Sequence, residues 1–198
     1  MKKGPRQLGV ISAVLGLAAI AAAAVAPDAT IQPDSRVWID GGSTVRGYTC
    51  EAATVNGSVN SKAAAFDVAN LAGAVTGAEI VIDANALDCG NGTMNGHMRK
   101  ALKTGDHGSI RFQLDDYAVQ AAGGETRVAM EGTLEIAGSR QPVAIEGVAT
   151  PAADGGVRVA GSHGILMSDY GVKPPSLMLG TMKVHDAVTL NFDVVLKP

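Results

Sequence analysis

The sequence predicts an all-β protein: an antiparallel β-barrel of about eight strands with one short helix. Three observations predict it. Segment after segment alternates apolar and polar residues with a period of two, the mark of strands with one dry and one wet face. The joins between these segments, such as "AAGG", "AGSRQ" and "AADGG", are too brief for helical crossovers, so neighbouring strands must run antiparallel. Beyond the N-terminus, helical spacing is convincing in one stretch alone. Closure into a barrel removes the edges that an open sheet would expose.

The chain has 198 residues and opens with a segment that does not belong to the fold. Lys2, Lys3 and Arg6 form a positive head, and Leu8 to Val25 follows without a charge and ends in alanines. This layout predicts a secretory signal peptide over residues 1–26. An uncleaved membrane anchor is the alternative, since about 18 apolar residues is the lower limit for spanning a bilayer. The first cysteine is Cys50, which excludes a lipid-modified cysteine at the mature N-terminus. Localisation is therefore expected to be periplasmic or secreted. Residues 27–34, "PDATIQPD", read as a polar lead-in, and 35–198 as a single domain.

Without Lys2, Lys3 and Arg6 the chain keeps 13 basic and 19 acidic side chains, net −6. No basic stripe exists, so a nucleic-acid partner is not expected.

The strands follow in order. "RVWID" and "STVRGYTC" flank Gly41-Gly42, and "SIRFQLD" points Ile110, Phe112 and Leu114 one way. "TRVAMEGTLEIAG" sets Val128, Met130, Leu134 and Ile136 against Arg127, Glu131 and Glu135. "PVAIEGVA" and "GGVRVAGSHGIL" come next, and Val184 to Leu196 closes the set with Val184, Val188, Leu190, Phe192, Val194 and Leu196 on one face. The stretch 61–72 reads as a strand entering a loop, because Phe66 and Val68 alternate with polar neighbours. The helix begins with Thr93 as its expected N-cap, places Met94, Met98, Ala101 and Leu102 on one side, and stops at Gly105.

Which residues carry chemistry? Cys50 and Cys89, an even pair in an exported chain, read as a disulfide. Met94, His97 and Met98 would suit Cu(I), but methionines at helical spacing are more often core filler, and His97 beside Arg99 and Lys100 reads as solvated. No Cys or His pair has zinc spacing, so no metal site is assigned. Among the other histidines, His107 sits in a turn into a strand and His185 falls on the wet face. His163 shares parity with Val157, Val159 and Gly161, which predicts a core histidine with its hydrogen bonds met, or a polar contact to a ligand. Asp115 and Asp116 are neighbours in a strand end and should point to opposite faces, so they cannot share a proton. No phosphate loop or catalytic set emerges, and the chain reads as no enzyme.

The order and spacing of four pieces resemble the YceI-like family, exported lipocalin-like barrels associated with polyisoprenoid binding. The pieces are "SRVWIDGGSTVRGYTCEA", "MNGHMRKAL" followed by "SIRFQL", "GTLEIAGSRQPVAIEG", and "MSDYGVKPPSLMLGTMKVHDAVTLNFDVVL". The resemblance covers roughly residues 35 to 197. It implies a helical plug tied to the second strand through Cys89–Cys50. It also implies an apolar interior holding an isoprenoid or quinone-type lipid, lined by Phe112, Leu114, Val128, Met130, Leu134, Ile136, Val188, Leu190 and Phe192. At about 0.8 kcal/mol per buried methylene, such a tunnel alone would bind tightly. The expected partner is thus a small apolar lipid, no cofactor is implied beyond it, and a membrane matters only as the lipid's source. A homodimer is compatible with the sequence and not required by it. The alternatives are a periplasmic copper or redox protein using Met94, His97 and Met98, and a barrel filled by its own side chains with a stress-related interaction role.

Overall fold

The computed structural model describes residues 28–62, 67–153, 155–177 and 181–197. The expected signal peptide, its anchor alternative and Phe66 lie outside these residues. Twelve strands form among the described residues: β1 Asp28–Ile31, β2 Arg36–Ser43, β3 Gly47–Ala52, β4 Asn56–Ser61, β5 Val75–Asp83, β6 Leu87–Asp88, β7 Ser109–Ala122, β8 Glu125–Ile136, β9 Ser139–Pro151, β10 Val157–Leu166, β11 Ser176–Leu177 and β12 Met182–Lys197. Every pairing is antiparallel.

Several short strands are halves of one stave. β2 and β1 both pair with β12, at Val37↔Phe192 and Ile31↔Leu196, so they form one stave broken at Gln32–Ser35. β3 and β4 pair with β2 and β1 in turn, and β6 and β5 with β3 and β4. With β7, β8, β9, β10 and β12 this makes eight staves in an up-and-down order, closed where β12 meets the first. The predicted fold class is therefore the observed one. The lead-in differs: Asp28–Ile31 is part of the wall, with Ala29 buried against the core, because its backbone completes the seam between β4 and β12.

Glycines serve the bend of the wall. β2 runs straight through Gly41-Gly42 and turns only at 44–46, contrary to the expected break at the glycines. Gly41 lies under the Tyr48 ring, where an added Cβ would stand 2.3 Å from Cζ. Gly132 lies likewise under Phe112, and Gly161 under Phe192. Aromatic rings laid over strand glycines cover the backbone where the sheet curves most. A β-bulge between Leu114 and Asp116 shifts the parity of β7. Asp115 and Asp116 are consequently both exposed, not split between faces, while Tyr117 and Val119 turn inward.

The barrel has two unlike ends. At the end holding Gly123-Gly124 and residues 67–74, Ala29, Val59, Leu71, Ala74, Val128, Ala149, Val157 and Val159 pack into a closed core. Tyr117 fastens this cap: its hydroxyl donates to the Leu71 carbonyl at 2.6 Å and accepts from the Val75 N–H at 3.0 Å. Of the stretch 61–72, expected as a strand entering a loop, β4 ends at Ser61 and Val68 lies in a turn.

The other end is covered by α1, Gly92–Leu102. Its N-cap is Asn91, two residues before the expected Thr93. The Asn91 side chain accepts from the Met94 N–H, and asparagine tolerates the extended backbone a cap requires. Lys103, left-handed at φ 53°, ends the helix two residues before Gly105. The disulfide Cys50–Cys89 joins β3 to the approach to α1. Asn95 adds a second tie: its Oδ1 accepts from the Cys89 N–H at 2.7 Å and its Nδ2 donates to Asp88 Oδ1 at 2.8 Å. That donor, with the Gly90 N–H, holds the Asp88 carboxyl below the ordinary aspartate range. Asn95→Ala is expected to return Asp88 upward toward the ordinary value in a carboxyl NMR titration. Because the folded value is the depressed one, Asp88's share of stability is present above the unfolded value and lost as pH falls through the folded one. The Asn95→Ala penalty should therefore shrink at acid pH.

Candidate functional site

Between α1 and the packed end lies an apolar cavity of about 300 Å³. Its wall is built by alternation: Leu134 and Ile136 of β8, Val188 and Leu190 of β12, Ile82 of β5 and Ile110 of β7 all point inward. Its roof is α1, which turns Met94, His97, Met98, Ala101 and Leu102 to the space because these positions recur at helical spacing. A short 3-10 turn, Met167–Tyr170, closes one side with buried Tyr170 and Val172. Burial pushes the phenols of Tyr48 and Tyr170 up, so both stay neutral hydrogen-bonding groups at physiological pH. Beside α1 the space opens to solvent past Arg46, Asn91, Thr93 and the exposed Val45.

Of the nine predicted interior residues, Leu134, Ile136, Val188 and Leu190 line this cavity. Phe112 sits over Gly132 and packs against the Leu134 and Ile136 cluster, and Leu114 is half-buried opposite Gly132. Val128, Met130 and Phe192 belong to the packed end. All nine have inward parity, but parity does not say how far along the axis a residue lies. One half of the barrel is filled and the other is open, so neither a full-length tunnel nor a wholly filled barrel describes it.

His97 is not the solvated residue its neighbours suggested: it is half-buried and faces the cavity. It therefore joins Met94 and Met98, with Met167 and Met182 on the same lining. Four of the chain's seven methionines surround one space, and flexible thioethers let a cavity adapt its shape. Cys89 is committed to the disulfide, its Sγ 3.6 Å from Met98 Sδ. Among the described residues no cluster of three His, Cys, Asp or Glu could hold a metal ion. Sequence reasoning missed Tyr48, Leu87, Met167, Tyr170 and Val172 as lining. Alternation flags strand interiors only, and three of these five lie in or beside the 3-10 turn.

A second depression lies where β9 and β10 part. It measures about 800 Å³ and takes in Gln141 and Val143 of β9, His163 and Gly164 of β10, and Asp169 and Tyr170 of the 3-10 turn. His163 keeps the inward parity of its partner Leu190 but is half-buried rather than fully buried, where the wall splits, and no described residue hydrogen-bonds its ring. His185 is exposed, as expected, against Gly42.

Known structures share this architecture. BcnA of Burkholderia cenocepacia superposes with a TM-score of 0.66 at 20% identity, over 83% of this chain and 99% of that one. A polyisoprenoid binding domain from Saccharophagus degradans, implicated in plant cell wall breakdown, gives 0.63 at 16% identity over 85% and 97%. The Campylobacter jejuni YceI protein gives 0.56 at 17% identity over 75% and 84%. Curated protein sequences contain no match to the chain. At such identities the likeness establishes the fold. Residues 32–196 match the family model of the YceI-like domain, and the chain belongs to that family.

Proposed function

We propose that the protein is an exported, non-catalytic binding protein that holds the tail of an isoprenoid-like or other amphiphilic lipid in the half-open barrel. The observation that carries this reading is the apolar cavity between α1 and the packed end. Membership of the YceI-like family and the polyisoprenoid binding named for the Saccharophagus domain agree with it. The signal-like N-terminus and the Cys50–Cys89 disulfide agree with an oxidising compartment.

Size sharpens the proposal. A cavity of about 300 Å³ lies at the lower end of the sizes of small-molecule sites, about 300–1,000 Å³. For every ten methylenes enclosed, burial contributes about 8 kcal/mol, which before any cost of association corresponds to a Kd near 1 μM. A half-open barrel thus encloses less of a tail, and gains less affinity from it, than a full tunnel would. The ligand carries either a short tail or a long one of which only the end is enclosed.

Native mass spectrometry of the purified protein, combined with organic extraction, tests this. A prenyl or related lipid released on extraction is the expected result. A second reading is favoured by one observation: Met94, His97 and Met98 share the cavity lining. It predicts stoichiometric copper that is lost in His97→Ala. Protein carrying no lipid and binding none of the prenyl compounds offered would overturn the first reading.

A further inference from the structure

The interior is closed at the packed end, so the rest of a long amphiphile must leave the barrel elsewhere. One opening is the mouth beside α1. The other is a split in the wall. The β9–β10 ladder ends at Gly161↔Gly147. Beyond it Ser139–Glu146 pair only with β8, and Ser162–Leu166 only with β12. The second depression is a groove along this split, and Ile165, Tyr170 and Val188 line the groove and the interior cavity alike. Side chains alone separate the two spaces.

We propose that this split is the ligand's way in and the seat of its headgroup, and that the headgroup is an uncharged hydrogen-bonding group, an alcohol or phenol, rather than a phosphate. The proposal rests on the tail-binding reading above. Tyr170 closes the passage, and it sits on a 3-10 turn that the sheet does not hold. The 3-10 turn Met167–Tyr170 is anchored by side chains instead: Gln141 Nε2 donates to the Asp169 carbonyl at 2.9 Å, and Asp186 accepts from the Ser168 N–H at 2.8 Å and from its hydroxyl at 2.5 Å. It ends at Gly171, left-handed at φ 65°. Such a turn can swing out without breaking a ladder hydrogen bond.

The polar groups fix the headgroup class. His163 offers a ring with no hydrogen bond among the described residues. Asp169 borders the groove, and among the described residues no lysine or arginine lines it. A phosphate placed there would face a carboxylate without a cation, which is repulsive. A hydroxyl can donate to or accept from the imidazole without that cost.

Farnesol and farnesyl phosphate, each displacing Nile red from the full chain in stopped flow, test the proposal. Gly164 borders the groove, and an added Cβ there meets nothing within 4 Å, so the backbone accepts a side chain and Gly164→Trp sets a bulky ring beside the split. Gly96→Trp, on α1 and equally unobstructed, controls for adding a tryptophan. Wild type should prefer farnesol, and Gly164→Trp should slow its association roughly fivefold or more, with Gly96→Trp unchanged. Wild-type rates in Gly164→Trp, slowing confined to Val45→Trp at the other mouth, or a preference for farnesyl phosphate would each overturn the proposal and leave tail binding intact. A wild type that takes up neither compound would overturn both.

Discussion

Removing the Cys50–Cys89 bond is expected to cost the fold about 4 kcal/mol. The bond closes a loop of 39 residues, and the chain-entropy model assigns that much to a loop of this length. For a domain of this size the midpoint of thermal unfolding should fall by roughly 8–16 °C. The double variant Cys50→Ala, Cys89→Ala is the form to measure, since it leaves no free thiol to form other bonds. Calorimetry against the parent, with and without reductant, separates the contributions: reductant should lower the parent's midpoint and leave the variant's unchanged. The loss should be uneven in space. α1 has no fully buried residue and is held by its half-buried face, by Asn95 and by the disulfide. Hydrogen exchange in Gly92–Leu102 should therefore accelerate more than in β7 or β8. A midpoint that moves by less than about 3 °C would show that the bond constrains little of the unfolded chain.

Phe192→Ala should cost about 3 kcal/mol and lengthen the cavity. Phe192 is the first inward residue of β12 beyond Leu190, which lines the cavity, and it packs with the closed core. Its ring covers Gly147 and Gly161, neither of which has a side chain to collapse into the vacated space. Truncating a phenylalanine in such a place costs about 3–5 kcal/mol, and the half-burial of this ring favours the lower figure. Urea unfolding should show a lower midpoint at an unchanged slope. Binding should change in the opposite sense: the variant should accept a longer saturated tail than the parent, because the space beneath Leu190 joins the cavity. Loss of stability with no change in the preferred tail length would place the floor of the cavity elsewhere.

Much of this molecule was legible in its residues. Alternation in 109–136 and 184–196 gave the inward faces, since a strand side chain can point only one way or the other. The helix was legible through Met94, Met98, Ala101 and Leu102, and the disulfide through an even pair of cysteines. Features that depend on one inserted residue were hidden. The bulge at Asp115 reverses parity with no mark in composition, and it sent both aspartates outward. Gly41-Gly42 looked like a turn because glycine is common in turns, yet here it clears space for Tyr48 and His185. His97 was misplaced because its sequence neighbours are cationic, whereas its position on the helix faces the cavity.

The sequence by itself determined the barrel, its antiparallel order, the helix at 92–102 and the list of side chains that face inward. Those follow from local periodicity and short connections, which each segment carries within itself. Only the tertiary structure decided that Val128, Met130 and Phe192 fill one end while Leu134, Ile136, Val188 and Leu190 leave room at the other. It alone decided that β9 and β10 part after Gly147 and Gly161. Whether a given layer of a barrel is full depends on the summed volume of side chains from eight staves at one height. That sum joins residues far apart in the chain, and no local pattern records it.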